Sequence, residues 1–351
     1  LHSNKKHLFT ELYDKVISVE SGCSGCGACI LICPEGRLIF KDHLPEQVSG
    51  DKNVCPENEN GKCGLCTMVC PRLNQEYTSG NPGGLPIGKY TDILAARTTD
   101  QAFKEIAQDG GIVSSILKWG LVSEQWSSVI GYTRDETWHV QPLVVTDGHD
   151  VQKACGSKYT FTSIIDGLKR LHESGLSSKP FTVVGLPCHI VALRKLRKLN
   201  SKYVKGLELC IGLFCSKAFT YEGLIENKLI NEMKIPITSV QKMDIRKGLF
   251  TVEMDSGKTY QIPVKELQNY SHSGCSSCYD FSAERADISV GGLGIGDWTI
   301  AVIRTAAGEQ VLDAVRSSGL IEITSAEKFP KALGLLEKLS LWKHKQAVTI
   351  K

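Results

Sequence analysis

Cys23, Cys26, Cys29 and Cys33 follow one another as C-x2-C-x2-C-x3-C, with Pro34 directly after the last. A partial second copy runs from Cys55 through Cys63 and Cys66 to Cys70, closed again by a proline, Pro71. Thiolates at this spacing hold iron and sulfide. Gaps of two residues let consecutive thiolates wrap one cubic 4Fe–4S cluster, and the fourth cysteine, just before proline, reaches across to a neighbouring cluster. Cys23, Cys26, Cys29 and Cys70 are therefore assigned to one cluster, and Cys33, Cys55, Cys63 and Cys66 to a second. Seven residues separate Cys55 from Cys63 where two are usual. The insert Pro56–Lys62 is polar and turn-rich, so it can bulge without moving the thiolates. Zinc sites usually pair two C-x2-C knuckles and need no third cysteine in register before C-P. A disulfide frame fits poorly, because these eight cysteines stand at ligand spacings.

The elements that must position these thiols fit a chain of 351 residues, room for a small N-terminal module and one larger domain. A formal charge of +3 is too small to imply a nucleic-acid partner. No apolar run reaches the ~18 residues of a membrane span. The chain starts at Leu1, and no charged-then-apolar secretion signal is read in it. Fourteen cysteines, eight of them in the cluster motif, point to a reducing cytoplasm, with a peripheral place on a membrane complex also compatible.

Residues 1–78 read as the ferredoxin-like two-cluster module, and the Gly/Pro-dense stretch 79–88 as a linker. Residues 89–351 read as a mixed α/β domain, so the fold class is α+β overall. Strands are expected at Ile93–Arg97, Phe181–Gly185 and Gly206–Phe214, with a hairpin over Val129–Val145 and another over Gln241–Val264. Helices are expected from Asp100, from Ile112 to Trp119, over 162–172, Ile190–Leu199, Tyr221–Met233 and Gly308–Ser317. Two short β/α units in sequence imply a parallel core sheet. The tail from Lys328 reads as a basic amphipathic helix that docks on the cysteine module or on a partner.

Six cysteines remain: Cys155, Cys188, Cys210, Cys215, Cys275 and Cys278. Cys275-x2-Cys278 is a loop pair, and Cys188 and Cys215 each follow the carboxyl end of a strand, where α/β sheets place ligands. From spacing alone, Cys210 competes with Cys215 for a third four-cysteine site. Residues ~90–340 resemble the family of beta subunits of coenzyme F420-reducing hydrogenases and F420 dehydrogenases. The motifs that carry this are Ala95–Asp100, Gln108–Val113, Gly156–Thr160, Gly185–Cys188, Gly212–Cys215, Lys242–Ile245, Gly274–Cys278 and Gly308-Glu309. With the cysteine module included, the chain resembles the F420H2-oxidising subunit of archaeal F420H2 dehydrogenases and the matching half of F420-dependent sulfite reductases. The resemblance implies that Cys188, Cys215, Cys275 and Cys278 hold a 4Fe–4S cluster beside an FAD. It leaves Cys155 and Cys210 as small buried side chains.

For that FAD, Asp109, Gly110 and Gly111 stand directly before a helix, where missing side chains and free N–H groups favour a pyrophosphate. Ser114 adds a hydroxyl in the first turn. Gly291, Gly292 and Gly294 form a second backbone-exposing loop, which lacks the crossover helix of a Rossmann motif. Lys158, with Tyr159 and Thr160, is placed near the flavin or a phosphate, Lys265 near an anionic deazaflavin tail together with Arg246 and Lys247, and Trp298 over a ring. His189 stands beside Cys188 and is read as a helix-start histidine. A deazaflavin exchanges hydride and clusters exchange single electrons, so a flavin must stand between them. The expected activity is electron transfer between coenzyme F420 and three clusters leading to a partner subunit or ferredoxin. It needs no side-chain acid or base, only rings held face to face. Two rivals remain: a ferredoxin-linked reductase of a tetrapyrrole within the same family, and a cluster-bearing subunit without a substrate of its own.

Overall fold

The computed structural model describes residues 8–41, 43–48, 63–73 and 86–347. Cys55 and most of the expected linker lie outside the described residues. The N-terminal part contains five-residue helices at Leu8–Leu12, Ala28–Ile32 and Leu65–Val69, and an antiparallel hairpin of β1 (Leu38–Lys41) and β2 (Leu44–Gln47). Then come β3 (Asp92–Thr98), β4 (Ser128–Arg134), β5 (Val140–Val145), β6 (Phe181–Gly185) and β7 (Leu207–Leu213). The three-stranded β8 (Val240–Arg246), β9 (Leu249–Met254) and β10 (Thr259–Pro263) follow. The last strands are β11 (Ile288–Gly291), β12 (Thr299–Ile303) and β13 (Ile321–Ser325).

Eight strands form one mixed sheet in the order β13-β3-β12-β11-β7-β6-β4-β5. The middle pairs β11–β7, β7–β6 and β6–β4 are parallel; the outer ones are antiparallel. Burial patterns distinguish this sheet from the smaller one. Phe181–Gly185 and Thr299–Ile303 are buried at every residue, as strands covered on both faces must be. β9 instead alternates half-buried and buried residues, as suits a sheet with one face in the core. It is the middle strand of a separate sheet, β10-β9-β8, which matches the expected hairpin.

Two antiparallel steps turn β3 back into the direction of β11, β7, β6 and β4. All five therefore end on the same side of the sheet. That side carries Cys188 past β6, Cys215 past β7, the Gly291 loop past β11 and the Gly110 loop reached from β3. It is the side where open α/β sheets bind ligands.

The N-terminal helices share one core with the helices Ile165–Glu173 and Pro187–Lys198: Ala28, Cys29, Ile30, Leu31 and Val69 pack with Ile165, Leu168, Leu193 and Leu196. Gly27 fixes how closely they meet. A Cβ there would stand 2.0 Å from Ile165 Cδ1, and its φ of 75° is left-handed. The C-terminal helix Pro330–Gln346 differs from its expected docking. Ala332 and Leu336 pack with Phe281, Ile300 and Val302 of the sheet domain. Its basic face is not all surface, because Lys343 is buried at 2% exposure.

Candidate functional site

Two short helices present the N-terminal thiols in the same way. Each starts on a left-handed glycine, Gly27 or Gly64, and ends on an extended cysteine, Cys33 or Cys70, followed by proline. Cys23, Cys26, Cys29 and Cys70 line one cavity. Cys33, Cys63 and Cys66 line a second. Each helix thus gives its first cysteine to one cavity and its last to the other. Burial pushes the Cys23 thiol up to about 11 and the Cys70 thiol up to about 12. Cys29 is raised by burial, then by Cys26, Cys70, Cys23 and Cys66. Bare thiolates packed so would repel one another, so the donor set fits a core of iron and sulfide whose positive charge compensates them. Among the described residues, no three His, Cys, Asp or Glu side chains converge closely enough to hold a single metal ion. The thiols surround cavities instead.

The other expected set also comes together. Burial raises the Cys188 thiol, reinforced by Cys278, Cys215, Cys26 and Cys275. Cys215 is raised by burial, with Cys275 and Cys278 adding to it and Lys343 opposing. Cys26 appears among the neighbours of Cys188, so this set adjoins the Cys23 set. Gly274 runs against the same segment: a Cβ there would stand 2.1 Å from the Cys23 carbonyl oxygen. Arg72 fastens the junction, donating to the Ser277 carbonyl at 2.8 Å and the Gly274 carbonyl at 2.6 Å. Cys210 lies apart. It is fully buried within β7, its amide donates to Asp287 at 2.7 Å, and its charged neighbours are Arg194, Asp287 and Arg197.

Both buried histidines near these thiols are neutral, each pushed down to about 4 by burial. The Tyr132 hydroxyl meets His189 Nδ1 at 3.0 Å, and the Gly274 amide donates to His272 Nδ1 at 3.2 Å. Each orients a loop that carries cysteine.

The glycine loops meet at the same sheet edge. A Cβ on Gly292 would stand 2.2 Å from the Asp109 carboxylate, and one on Gly291 would enter the Phe214 ring. Gly110 is glycine for packing, because its Cβ would lie 2.7 Å from the Ala96 carbonyl oxygen and 2.8 Å from the Thr299 nitrogen. Its N–H, expected to face a phosphate, donates to Thr299 Oγ1 at 3.0 Å. Gly111 starts the helix Ile112–Val122 at φ 70° with no side chain capping the first N–H groups. Gly294 and Gly296 have positive φ and face open space. These features fit an anionic group laid across the helix start.

The remaining expected residues are placed differently. Lys158 Nζ donates to the Ala154 and Cys155 carbonyls at 2.8 and 2.7 Å, and burial pushes its pKa down to about 8. The Ser114 hydroxyl stands 3.0 Å from Cys155 Sγ. Thr160 is buried and bridges to Phe219. Tyr159 is raised by burial and then by Asp244 and Asp109, which puts it at the loop junction. Trp298 lies under the Arg97 guanidinium at 4.6 Å. Arg246 pairs with Asp244 at 2.5 Å. β8 meets the loop through Gln108, which donates to Asp244 at 2.6 Å. Lys265 is exposed beyond β10, on the opposite edge of that small sheet, and does not join this group.

Three cations escaped the sequence reading: Arg72, Lys195 and Lys343. Lys195 Nζ donates to the Cys70 carbonyl at 2.6 Å and the Met68 carbonyl at 3.2 Å. Lys343 Nζ donates to the carbonyls of Ser216 and Cys275. A signal for Lys343 did exist. It continues the buried stripe Ala332, Leu336, Ser340 at helical spacing.

A mixed sheet with cysteines and glycine loops gathered at its carboxyl edge, joined to a cysteine-lined N-terminal segment, defines a redox protein of the oxidoreductase class. Residues 93–169 match the N-terminal family model of the coenzyme F420 hydrogenase/dehydrogenase beta subunit, and residues 179–328 match its C-terminal counterpart. The chain is 32% identical over 271 residues to the beta subunit of the coenzyme F420 hydrogenase of Methanothermobacter thermautotrophicus, covering 75% of this chain and 94% of that subunit. It is 30% identical over 326 residues to a subunit of the F(420)H(2) dehydrogenase of Methanosarcina mazei, covering 92% and 89%. A chain of the F420-reducing NiFe hydrogenase complex of Methanosarcina barkeri superimposes with a TM-score of 0.70 at 29% identity, covering 75% of this chain and 91% of that one. The chain belongs to the family of coenzyme F420 hydrogenase/dehydrogenase beta subunits. Among the described residues, no helix is long and apolar enough to cross a membrane.

Proposed function

We propose that this chain moves electrons between coenzyme F420 and a partner redox protein, in the manner of an F420H2 dehydrogenase. In this reading residues 1–78 are a ferredoxin-type module with two 4Fe–4S clusters, 79–88 a linker, and 89–351 a domain for FAD and a third cluster. FAD supplies the exchange between hydride and single electrons, and the clusters supply the one-electron route. Cys188, Cys215, Cys275 and Cys278 hold the cluster nearest the flavin. Cys23, Cys26, Cys29 and Cys70 hold the next, and Cys33, Cys55, Cys63 and Cys66 the outlet. Asp109, Gly111, Gly292 and Gly294 shape the flavin's seat, and the helix start at Gly111 faces its pyrophosphate. A cytoplasmic setting suits thiols that must stay reduced.

The observation that carries the reading is the continuity of the thiols. Cys188 has Cys26 among its neighbours, and Cys29 has Cys66 among its own. The Cys23 set therefore adjoins both the sheet-edge thiols and Cys66 of the remaining set. The test is anaerobic oxidation of reduced F420 by the purified full chain, with viologen as acceptor. Turnover is expected from protein carrying flavin and about twelve iron atoms, four for each of three clusters. No turnover by flavin-loaded, iron-replete protein would sink the F420 assignment. Zinc in place of iron would sink the cluster assignment.

A further inference from the structure

Lys195 and Lys343 are 3% and 2% exposed. They come from different helices, 148 positions apart in the numbering of the chain, yet they make the same kind of contact. Lys195 reaches the carbonyl of Cys70 at 2.6 Å, and Lys343 reaches the carbonyl of Cys275 at 3.2 Å. Each ammonium is thus bonded to the backbone of a cysteine in one thiol set.

Burying an ammonium costs several kcal/mol unless negative charge faces it. The carbonyl oxygens that Lys343 reaches supply only partial charge. Four thiolates around an iron–sulfur core supply a net negative charge that grows by one when the core takes up an electron. A fixed cation at close range in a poorly solvated site stabilises the reduced state more than the oxidised one.

We propose that Lys343 and Lys195 are potential-setting residues, each raising the reduction potential of the cluster held by its neighbouring thiol set. The proposal rests on the three-cluster reading above. Lys343 acts on the Cys188, Cys215, Cys275 and Cys278 set, and Lys195 on the Cys23, Cys26, Cys29 and Cys70 set. Since these two sets adjoin, the two lysines together fix the step in potential between them.

The experiment is an anaerobic redox titration of the full chain with its clusters, followed by electron paramagnetic resonance. Each signal is assigned to its set by its loss in Cys188→Ala or Cys29→Ala. Lys343→Gln is expected to lower the midpoint of the Cys188 set by at least a tenfold change in its oxidised-to-reduced ratio, about 59 mV for one electron. The other signals should hold still, and Lys343→Arg should restore the midpoint. Lys195→Gln should do the same to the Cys23 set alone. An iron-replete Lys343→Gln protein with an unmoved midpoint would overturn the proposal. If Lys343→Gln loses iron, Lys343→Met carries the same test. Loss of iron from both, with Lys343→Arg replete, would assign the lysine to holding the loop and also overturn the proposal. A wild-type chain without cluster signals would sink the three-cluster reading itself, whereas replete clusters with unmoved midpoints would sink only the role of the lysines.

Discussion

The N-terminal cysteines and the sheet-edge cysteines reach similar arrangements by opposite routes. In the N-terminal segment, one local turn is used twice. A left-handed glycine, a five-residue helix and a Cys-Pro stop send neighbouring thiols into two cavities. At the sheet edge only the Cys275 and Cys278 pair is local. Cys188, Cys215 and the Cys275 loop are brought together because β6 and β7 are parallel and end side by side. A short peptide can specify the first kind of site, and only a whole domain can specify the second. Damage should therefore stay local in one region and depend on long-range packing in the other.

The largest effect that tests this contrast is removal of one sheet-edge thiol. Cys188→Ala should lose about four of about twelve iron atoms per chain, because a cluster missing one of its ligands is not retained. Iron in the N-terminal segment should remain, and reduction of bound flavin by reduced F420 should persist. Cys210→Ala is the matched control, since Cys210 points its charge contacts at Arg194 and Asp287 rather than at the four thiols. It should keep all its iron and lose about 1 kcal/mol of stability to a small cavity. Iron analysis and stopped-flow flavin absorbance measure both. Iron loss in the control with retention in Cys188→Ala would reverse the ligand assignment.

A second effect, of intermediate size, asks how firmly the N-terminal segment depends on the domain beneath it. Gly27 and Gly36 both have positive φ, at 75° and 60°. Alanine at either position carries left-handed strain of about 1–2 kcal/mol. Only at Gly27 does the new methyl meet anything, namely Ile165 and Ser163 from the larger domain. Overpacking there should add about 1–3 kcal/mol. Gly27→Ala should therefore lower the anaerobic melting temperature clearly more than Gly36→Ala. Equal shifts would mean that the close approach to Ile165 contributes nothing.

The same contrast explains what was legible in the sequence. The grouping of the described N-terminal thiols around two cavities follows from spacing, since each helix serves both cavities from residues a few positions apart. The central strands were legible because burial on both faces demands nearly continuous apolar runs such as Phe181–Gly185, interrupted only by Thr182. The choice of Cys215 over Cys210 was not legible from spacing. Both lie on or just past one strand, and the difference is that Cys210 faces the core within β7 while Cys215 follows its end. The glycine loops were found, but their partners were not. Gly110 looked like a phosphate contact, and its amide is taken by Thr299, which is distant in sequence. Lys195 and Lys343 were missed for a related reason. A lysine in a basic helix reads as solvated, and only the packing of that helix against a thiol-bearing loop buries it.

The smallest expected effect concerns how the C-terminal helix is held on the sheet-edge region, and it depends on pH. His344 Nε2 stands 3.1 Å from Glu284 Oε1, with side chains 22% and 13% exposed. The bond to Glu284 raises the His344 pKa above its ordinary value of 6.5. A raised folded-state pKa means that the stabilisation is complete below the unfolded value and is lost as pH rises through the folded one. His344→Gln keeps a polar side chain but no titrating charge. It should cost about 0.5–1 kcal/mol near pH 6 and close to nothing near pH 9. Anaerobic melting temperatures of variant and wild type across that range give the difference directly. A gap that stays constant with pH would mean that packing, not charge, fastens this end of the helix. The N-terminal pair Lys15–Glu11 gives the contrast, since its side chains are 58% and 33% exposed within a single local turn. Its removal should leave the melting temperature unchanged at either pH, because an exposed local pair contributes little.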